Sequence, residues 1–128
     1  MIADTTFLID LARGDAGAAQ KMSELKLRRE PLAITALTVF ELFQGSHGLS
    51  LAELKIFSTL VHNAMVIEIE HEIAKSGGAI RSYLRKKGKV IEAIDSMIAA
   101  TALIGNDIIL TRNVKDFSEV EGLKIETY

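Results

Sequence analysis

Cysteine is absent from the 128 residues, which removes disulfides and thiolate metal sites at once. Histidine is scarce: His47, His62 and His71 are scattered and form no paired zinc-binding motif. A metal centre here must rest on oxygen ligands, which favour magnesium or manganese over zinc. No stretch reaches the roughly 18 uncharged apolar residues that a membrane-spanning helix needs. Met1-Ile2-Ala3-Asp4 lacks the basic start and apolar run of a signal peptide, so a soluble, cytoplasmic protein with no membrane partner is expected. The formal net charge of −2 argues against a nonspecific polyanion binder but leaves room for a local basic patch.

What is present reads as one domain over residues 1–128, because the chain is too short for two ordinary ones. Strands are expected at Met1–Asp4, Leu32–Thr35, Ala64–Ile67, Asp107–Leu110 and Leu123–Thr127. Helical patterns lie between them, near Thr6–Ala12, Ala16–Leu27, Leu37–Gln44, Leu51–Val61, Glu70–Arg85 and Asp95–Ile104. Such alternation predicts an α/β fold with a parallel sheet covered on both faces. The first four strands are mostly apolar, as strands buried on both faces should be. Leu123–Thr127 alternates apolar with polar, the pattern of an edge strand. Gly14, Gly45, Gly48, Gly88, Gly105 and Gly122 punctuate the element ends, and the single proline, Pro31, precedes the second strand.

Ligands of open α/β sheets bind beyond the carboxyl ends of the strands, so acids at those ends carry the functional interest. Asp4 ends the first strand; it either points into that crevice or caps the next helix. Glu41 lies in an apolar helical stretch, where Thr38-x-x-Glu41 also fits a capping box. Asp95 opens the helix Met97–Ile104, in which only Thr101 is polar, so that helix should be buried nearly all round. A carboxylate there is costly unless helix amides or a cation compensate it. After the fourth strand, Thr111-Arg112-Asn113-Val114-Lys115-Asp116-Phe117 places Asn113 and Asp116 one turn apart; a capped turn plugged by Phe117 is the ordinary alternative. Several anions sharing one crevice repel unless a cation joins them, so the set suggests a hard-metal site.

Asp4-Thr5-Thr6-x-Leu8-Ile9, Thr38-x-x-Glu41-Leu42, Asp95-x-x-Ile98-Ala99-Ala100-Thr101-Ala102 and Thr111-Arg112-Asn113-x-x-Asp116-Phe117 together resemble PIN domains in order and spacing, over the whole chain. The likeness is greatest to the compact VapC toxins of type II toxin–antitoxin pairs. The resemblance implies a three-layer domain with a five-stranded parallel sheet in the order 3-2-1-4-5. It also implies Mg²⁺- or Mn²⁺-dependent RNA cleavage, a homodimer and a cognate antitoxin. Its site roles carry over to Asp4, Glu41, Asp95 and Asn113, with Asp116 as an auxiliary. Asn113 is neutral where some relatives have a carboxylate. Under this reading Asp4 and Asp95 are the direct metal ligands, and Thr6 and Thr111 orient carboxylates by hydrogen bonds.

The basic stretch Arg81-Ser82-Tyr83-Leu84-Arg85-Lys86-Lys87-Gly88-Lys89 fits either a solvated helix end or a phosphate track. Arg81, Arg85, Lys86 and Arg112 are the RNA-binding candidates. Glu68-Ile69-Glu70-His71-Glu72 fits a helix start better than a second metal site. Leu49, Leu51, Leu54, Ile56, Phe57 and Leu60 exceed one buried stripe, so some should face a partner. The rival readings are a noncatalytic PIN-like module that binds RNA or protein, and a phosphatase- or receiver-like protein. The latter usually needs a second acid at the first strand tip, which Asp4-Thr5-Thr6 does not supply.

Overall fold

In the computed structural model, which describes residues 1–45 and 49–128, five short strands build the sheet. They are β1 (Ile2–Ala3), β2 (Ala33–Thr35), β3 (Met65–Ile67), β4 (Ile108–Leu110) and β5 (Lys124–Glu126). All pair in parallel, in the order β3-β2-β1-β4-β5, the order that the resemblance implies. His47 and Gly48 lie outside the described residues. The helices are α1 (Thr5–Ala12), α2 (Ala16–Arg28), α3 (Ala36–Gln44), α4 (Leu51–Asn63), α5 (His71–Lys86), α6 (Ala93–Ile104) and the single turn α7 (Val114–Phe117).

Successive strand residues point to opposite faces, and here they divide two cores. Ala3, Ile34 and Leu110 join Phe7, Leu8, Leu25, Leu42 and Phe57 on the side of α1 to α4. Ile2, Ala33 and Ile109 join Leu84, Ile98, Ala99, Ala102 and Phe117 on the side of α5 to α7. The central strands therefore carry the apolar runs expected of strands covered on both faces. β3 departs from that expectation. Met65 is 60% and Val66 41% exposed, because β3 is an outer strand paired on one side only, with β2. β5 is the other outer strand, and Lys21, buried in α2, pairs with its Glu126. No helix among the described residues is long and apolar enough to cross a membrane.

The α5–α6 contact is backbone-close. A Cβ built on Gly77 would stand 2.8 Å from Met97 Cγ and 3.1 Å from Met97 Cα. Helix propensity alone would make Gly77→Ala stabilising by about 1 kcal/mol. Overpacking against a neighbouring backbone typically costs about 1–3 kcal/mol and should win. Thermal melting of Gly77→Ala is expected to show a lowered Tm; an unchanged or raised Tm would mean that the two helices part freely. α6 itself is buried from Ile98 to Ala102, but Ile104 is 56% exposed, so its last turn leaves the core that the sequence pattern suggested for it.

Candidate metal centre

Asp4 follows β1 and occupies the N-cap position of α1, yet its side chain makes no capping bond. Its Oδ2 instead accepts the Thr6 hydroxyl at 2.8 Å and the Thr111 hydroxyl at 2.8 Å. Both donors serve one oxygen of a carboxylate that is only 3% exposed. The ordinary alternative for Asp4, a helix cap, is thereby set aside. Thr111 is itself fixed from behind, because the Asn113 N–H donates to its Oγ1 at 2.9 Å.

Glu41 forms no capping box. α3 begins at Ala36 with Thr35 as N-cap, whose Oγ1 accepts the Thr38 N–H. Thr38 is buried and bonded to Thr35, while Glu41 accepts the Thr5 hydroxyl. Burial raises the Glu41 carboxyl above its ordinary pKa; the Thr5 bond opposes this and repulsion from Asp4 adds to it. Thr5 went unremarked in the sequence, where Asp4-Thr5-Thr6 pointed to Thr6 alone.

Asp95 does not cap its helix either. α6 starts at Ala93 after Glu92, which places Asp95 in the first turn, where the helix dipole favours an anion. Even so, its pKa is pushed up to about 7, by burial first and then by repulsion from Asp4, Glu41, Asp116 and Glu92. Asp116 is held differently: the Asn113 side-chain amide donates to its Oδ2 at 2.7 Å. The fold thus brings Asp4, Glu41, Asp95 and Asp116 to one end of the sheet, with Asn113 bound to one of them.

Among the described residues no three acidic or histidine side chains close into a ready ligand cage. Asp4, Glu41 and Asp116 nevertheless stand near enough to Asp95 to add to the rise in its pKa that burial begins. That suits a divalent ion which keeps much of its water and takes few direct carboxylates. The carboxylate donors are all oxygen, and among the described residues none of these four acids forms a salt bridge, so a hard cation fits the set.

Asn113→Asp would remove the amide donor and set a second carboxylate against Asp116. The metal-free variant is expected to melt lower than the parent and to regain more of its Tm when Mn²⁺ is added. Equal melting curves with and without Mn²⁺ would show that residue 113 lies outside the charge cluster.

The basic candidates divide. Arg81 donates through Nε to the Ile91 carbonyl at 3.2 Å, so it ties α5 to the segment before α6 and serves a structural bond first. Arg85 and Lys86 are exposed in the last turn of α5, with no bond to the acidic cluster among the described residues. Arg112 pairs through Nη2 with Asp10 Oδ1 at 3.0 Å. Asp10 was missed in the sequence, although a lone acid in the apolar run Phe7–Ala12, four residues after Thr6, was a usable signal. Glu70 and Glu72 open α5, as the helix-start reading of that acidic stretch expected.

A family model described as the PIN domain matches residues 1–123. The chain belongs to the PIN-domain family. Ribonuclease VapC19 of Mycobacterium tuberculosis is 36% identical over 114 residues, 89% of either chain. The tRNA(fMet)-specific endonuclease VapC of Shigella flexneri is 28% identical over 112 residues, covering 86% of this PIN domain and 85% of that protein. The crystal structure of DNA-bound VapBC from Salmonella typhimurium superposes with a TM-score of 0.86 at 25% identity, over 98% of this chain and 96% of that one. Its neighbourhood in sequence and in fold is therefore that of the VapC proteins.

Proposed function

We propose that this PIN domain is an endoribonuclease toxin of the VapC type, cutting RNA phosphodiester bonds with a divalent metal, Mg²⁺ or Mn²⁺. The likeness to VapC ribonucleases supports the RNA substrate. The observation that supports the metal dependence is the gathering of Asp4, Glu41 and Asp116 about Asp95, whose carboxyl is pushed up to about 7 by burial first and then by repulsion from those acids. Asp4 and Asp95 would hold the ion directly. Once bound, it would supply Lewis-acid polarisation of the phosphate and a water of lowered pKa.

The chain's own residues do the positioning. Thr6 and Thr111 occupy Asp4 Oδ2, which fixes the rotation of the carboxylate and leaves Oδ1 available as a ligand. Thr5 restrains Glu41, and Asn113 restrains Asp116. Glu41 and Asp116 would then be held as hydrogen-bond acceptors for the ion's hydration shell, with the neutral Asn113 fixing Asp116 where some relatives carry a further carboxylate.

The partners follow from the same family. VapBC complexes are among the structures that this fold resembles, so we propose a cognate antitoxin and, from the family likeness, a homodimer. An apolar groove of about 570 Å³ is lined by Leu8, Leu11, Met22, Leu25, Leu32 and Leu60. Asp4, Glu41, Asp95 and Asp116 do not line it, and Lys26 and Glu30 are its only charged lining residues, so it suits an apolar segment of the antitoxin rather than the RNA. Leu51 at 86% and Ile56 at 41% exposure extend the apolar surface along α4.

The test is cleavage of a single-stranded or loop RNA by the purified protein. Activity is expected with Mg²⁺ or Mn²⁺, lost on chelation and restored on readdition. Undiminished cleavage in chelator would overturn the metal dependence. RNA binding without cleavage in either metal would favour the noncatalytic module.

A further inference from the structure

One titratable cluster borders the machinery just described, with the Tyr128 hydroxyl beside Thr6, and is not yet assigned a role. Asp10 is 6% exposed in α1, a helix otherwise rich in apolar side chains. Its two oxygens are used separately: Oδ1 takes the Arg112 guanidinium at 3.0 Å, and Oδ2 takes the Tyr128 hydroxyl at 2.7 Å. The Tyr128 ring is packed edge-on against Phe7, with centroids 5.0 Å apart at 74°, so the phenol is held from two directions. Three distant parts of the chain thus meet at one carboxylate.

A structural purpose alone accounts poorly for this arrangement. A buried ion pair is often no more stabilising than apolar residues of similar volume. Arg112 is 59% exposed, and in water an arginine has no need of a tether. The tether does fix where the guanidinium stands. Arg112 lies between Thr111, which bonds Asp4, and Asn113, which bonds Asp116. It spends one bond, through Nη2, on Asp10, out of the five N–H donors of a guanidinium. The remainder form a planar fork suited to phosphate oxygens.

We propose that Asp10 and Tyr128 are positioning residues for RNA, holding the Arg112 guanidinium at the rim of the acidic cluster so that its free donors take an RNA phosphate. The proposal rests on the nuclease reading. It adds a cationic contact to a site whose other side chains repel a polyanion. Preorganisation is the gain: a tethered arginine loses less side-chain freedom on binding than a free one. Asp10 acts on Arg112 directly; Tyr128, whose hydroxyl also stands beside Thr6, acts on Arg112 through Asp10.

The experiment uses the full chain and a fluorescein-labelled single-stranded RNA. Anisotropy in EDTA gives Kd against salt, and cleavage with Mn²⁺ gives KM and kcat. Arg112→Gln is expected to weaken RNA binding about tenfold and to lower the slope of log Kd against log salt by about one, as loss of one phosphate contact should. Tyr128→Phe keeps the ring against Phe7 and removes only the hydroxyl; it is expected to raise Kd and KM about threefold, with less change in kcat. In the double variant Tyr128→Phe should add nothing to Arg112→Gln, because they act as a unit, and Arg112→Lys should restore the salt slope while leaving part of the affinity loss.

A purely structural Tyr128 would lower the Tm of Tyr128→Phe and leave Kd, KM and salt slope at parental values; that result overturns the proposal. Additive effects in the double variant overturn it as well. Failure of the nuclease reading looks different: the parent itself would cleave no RNA in either metal, while the anisotropy series would still report on the Arg112 contact.

Discussion

Asp95→Asn and Asp4→Asn are each expected to lower RNA cleavage by at least about a thousandfold while leaving the circular dichroism spectrum unchanged. The ion's charge stabilisation of the reacting phosphate is worth several kcal/mol, and each ~1.4 kcal/mol of barrier is a factor of ten. Neither substitution disturbs the fold, because neither carboxylate caps its helix through its side chain. Asn keeps the shape and removes the charge. Thr111→Val offers a graded comparison. It takes one of the two hydroxyls from Asp4 Oδ2, and loss of such a supporting bond commonly costs about 10–100-fold. The two aspartate variants should therefore fall well below Thr111→Val in a single-turnover assay. Full activity in either purified aspartate variant would sink the mechanism.

The second large effect concerns the protein without metal. Asp95 has a carboxyl pKa of about 7 in the fold against an ordinary value of 3.8. Folding therefore favours its protonated form, so the contribution of this group to stability is greatest below about pH 4. That contribution diminishes as pH rises towards 7, and above 7 the charged carboxylate opposes folding. Asp95→Asn removes this dependence. The variant should melt above the parent at pH 8 in EDTA, with the gap narrowing as pH falls below 7 and closing only near pH 4.

Metal reverses the ranking. An ion bound to the folded state alone stabilises it by mass action, so Mn²⁺ at pH 8 should raise the parental Tm and leave Asp95→Asn nearly unmoved. Binding must displace the Asp95 proton below pH 7, so apparent affinity should climb between pH 6 and 8. The readout is the parent-minus-variant difference in Tm, which cancels the other acids. A difference independent of pH, or an equal Mn²⁺ shift in both proteins, would show that Asp95 is neither strained nor a ligand.

Much of the fold could be read from local pattern. The apolar runs at Leu32–Thr35 and Asp107–Leu110 are β2 and β4 to within a residue, since a strand covered on both faces has no other composition available. The order of the strands came from the resemblance, not from periodicity. Local pattern misled where two local structures compete for one motif. Thr38-x-x-Glu41 has capping-box spacing, but Thr35, three residues earlier, takes the cap and releases Glu41 to meet Thr5. Asp10 and Tyr128 were unreadable for a different reason. They bond across 118 positions of chain, and neither carries a local signature of the other. The bond from Arg81 to the Ile91 carbonyl was unreadable too, because a helix-end arginine looks alike in sequence whether or not it makes such a bond.

The two cores divided by the sheet bear on when the protein becomes active. Asp4, at the cap of α1, and Glu41, in α3, belong to one side; Asp95 and Asp116 come from α6 and α7, on the other. β4, which joins the sheet beside β1, is made only after Asp95 in the chain. A nascent polypeptide extended to the end of α5 holds half of the acids and no fourth strand. On the nuclease reading, an emerging toxin is then chemically inert beside the ribosome that makes it, and it acquires its cutting centre only as the last third of the chain folds onto the first.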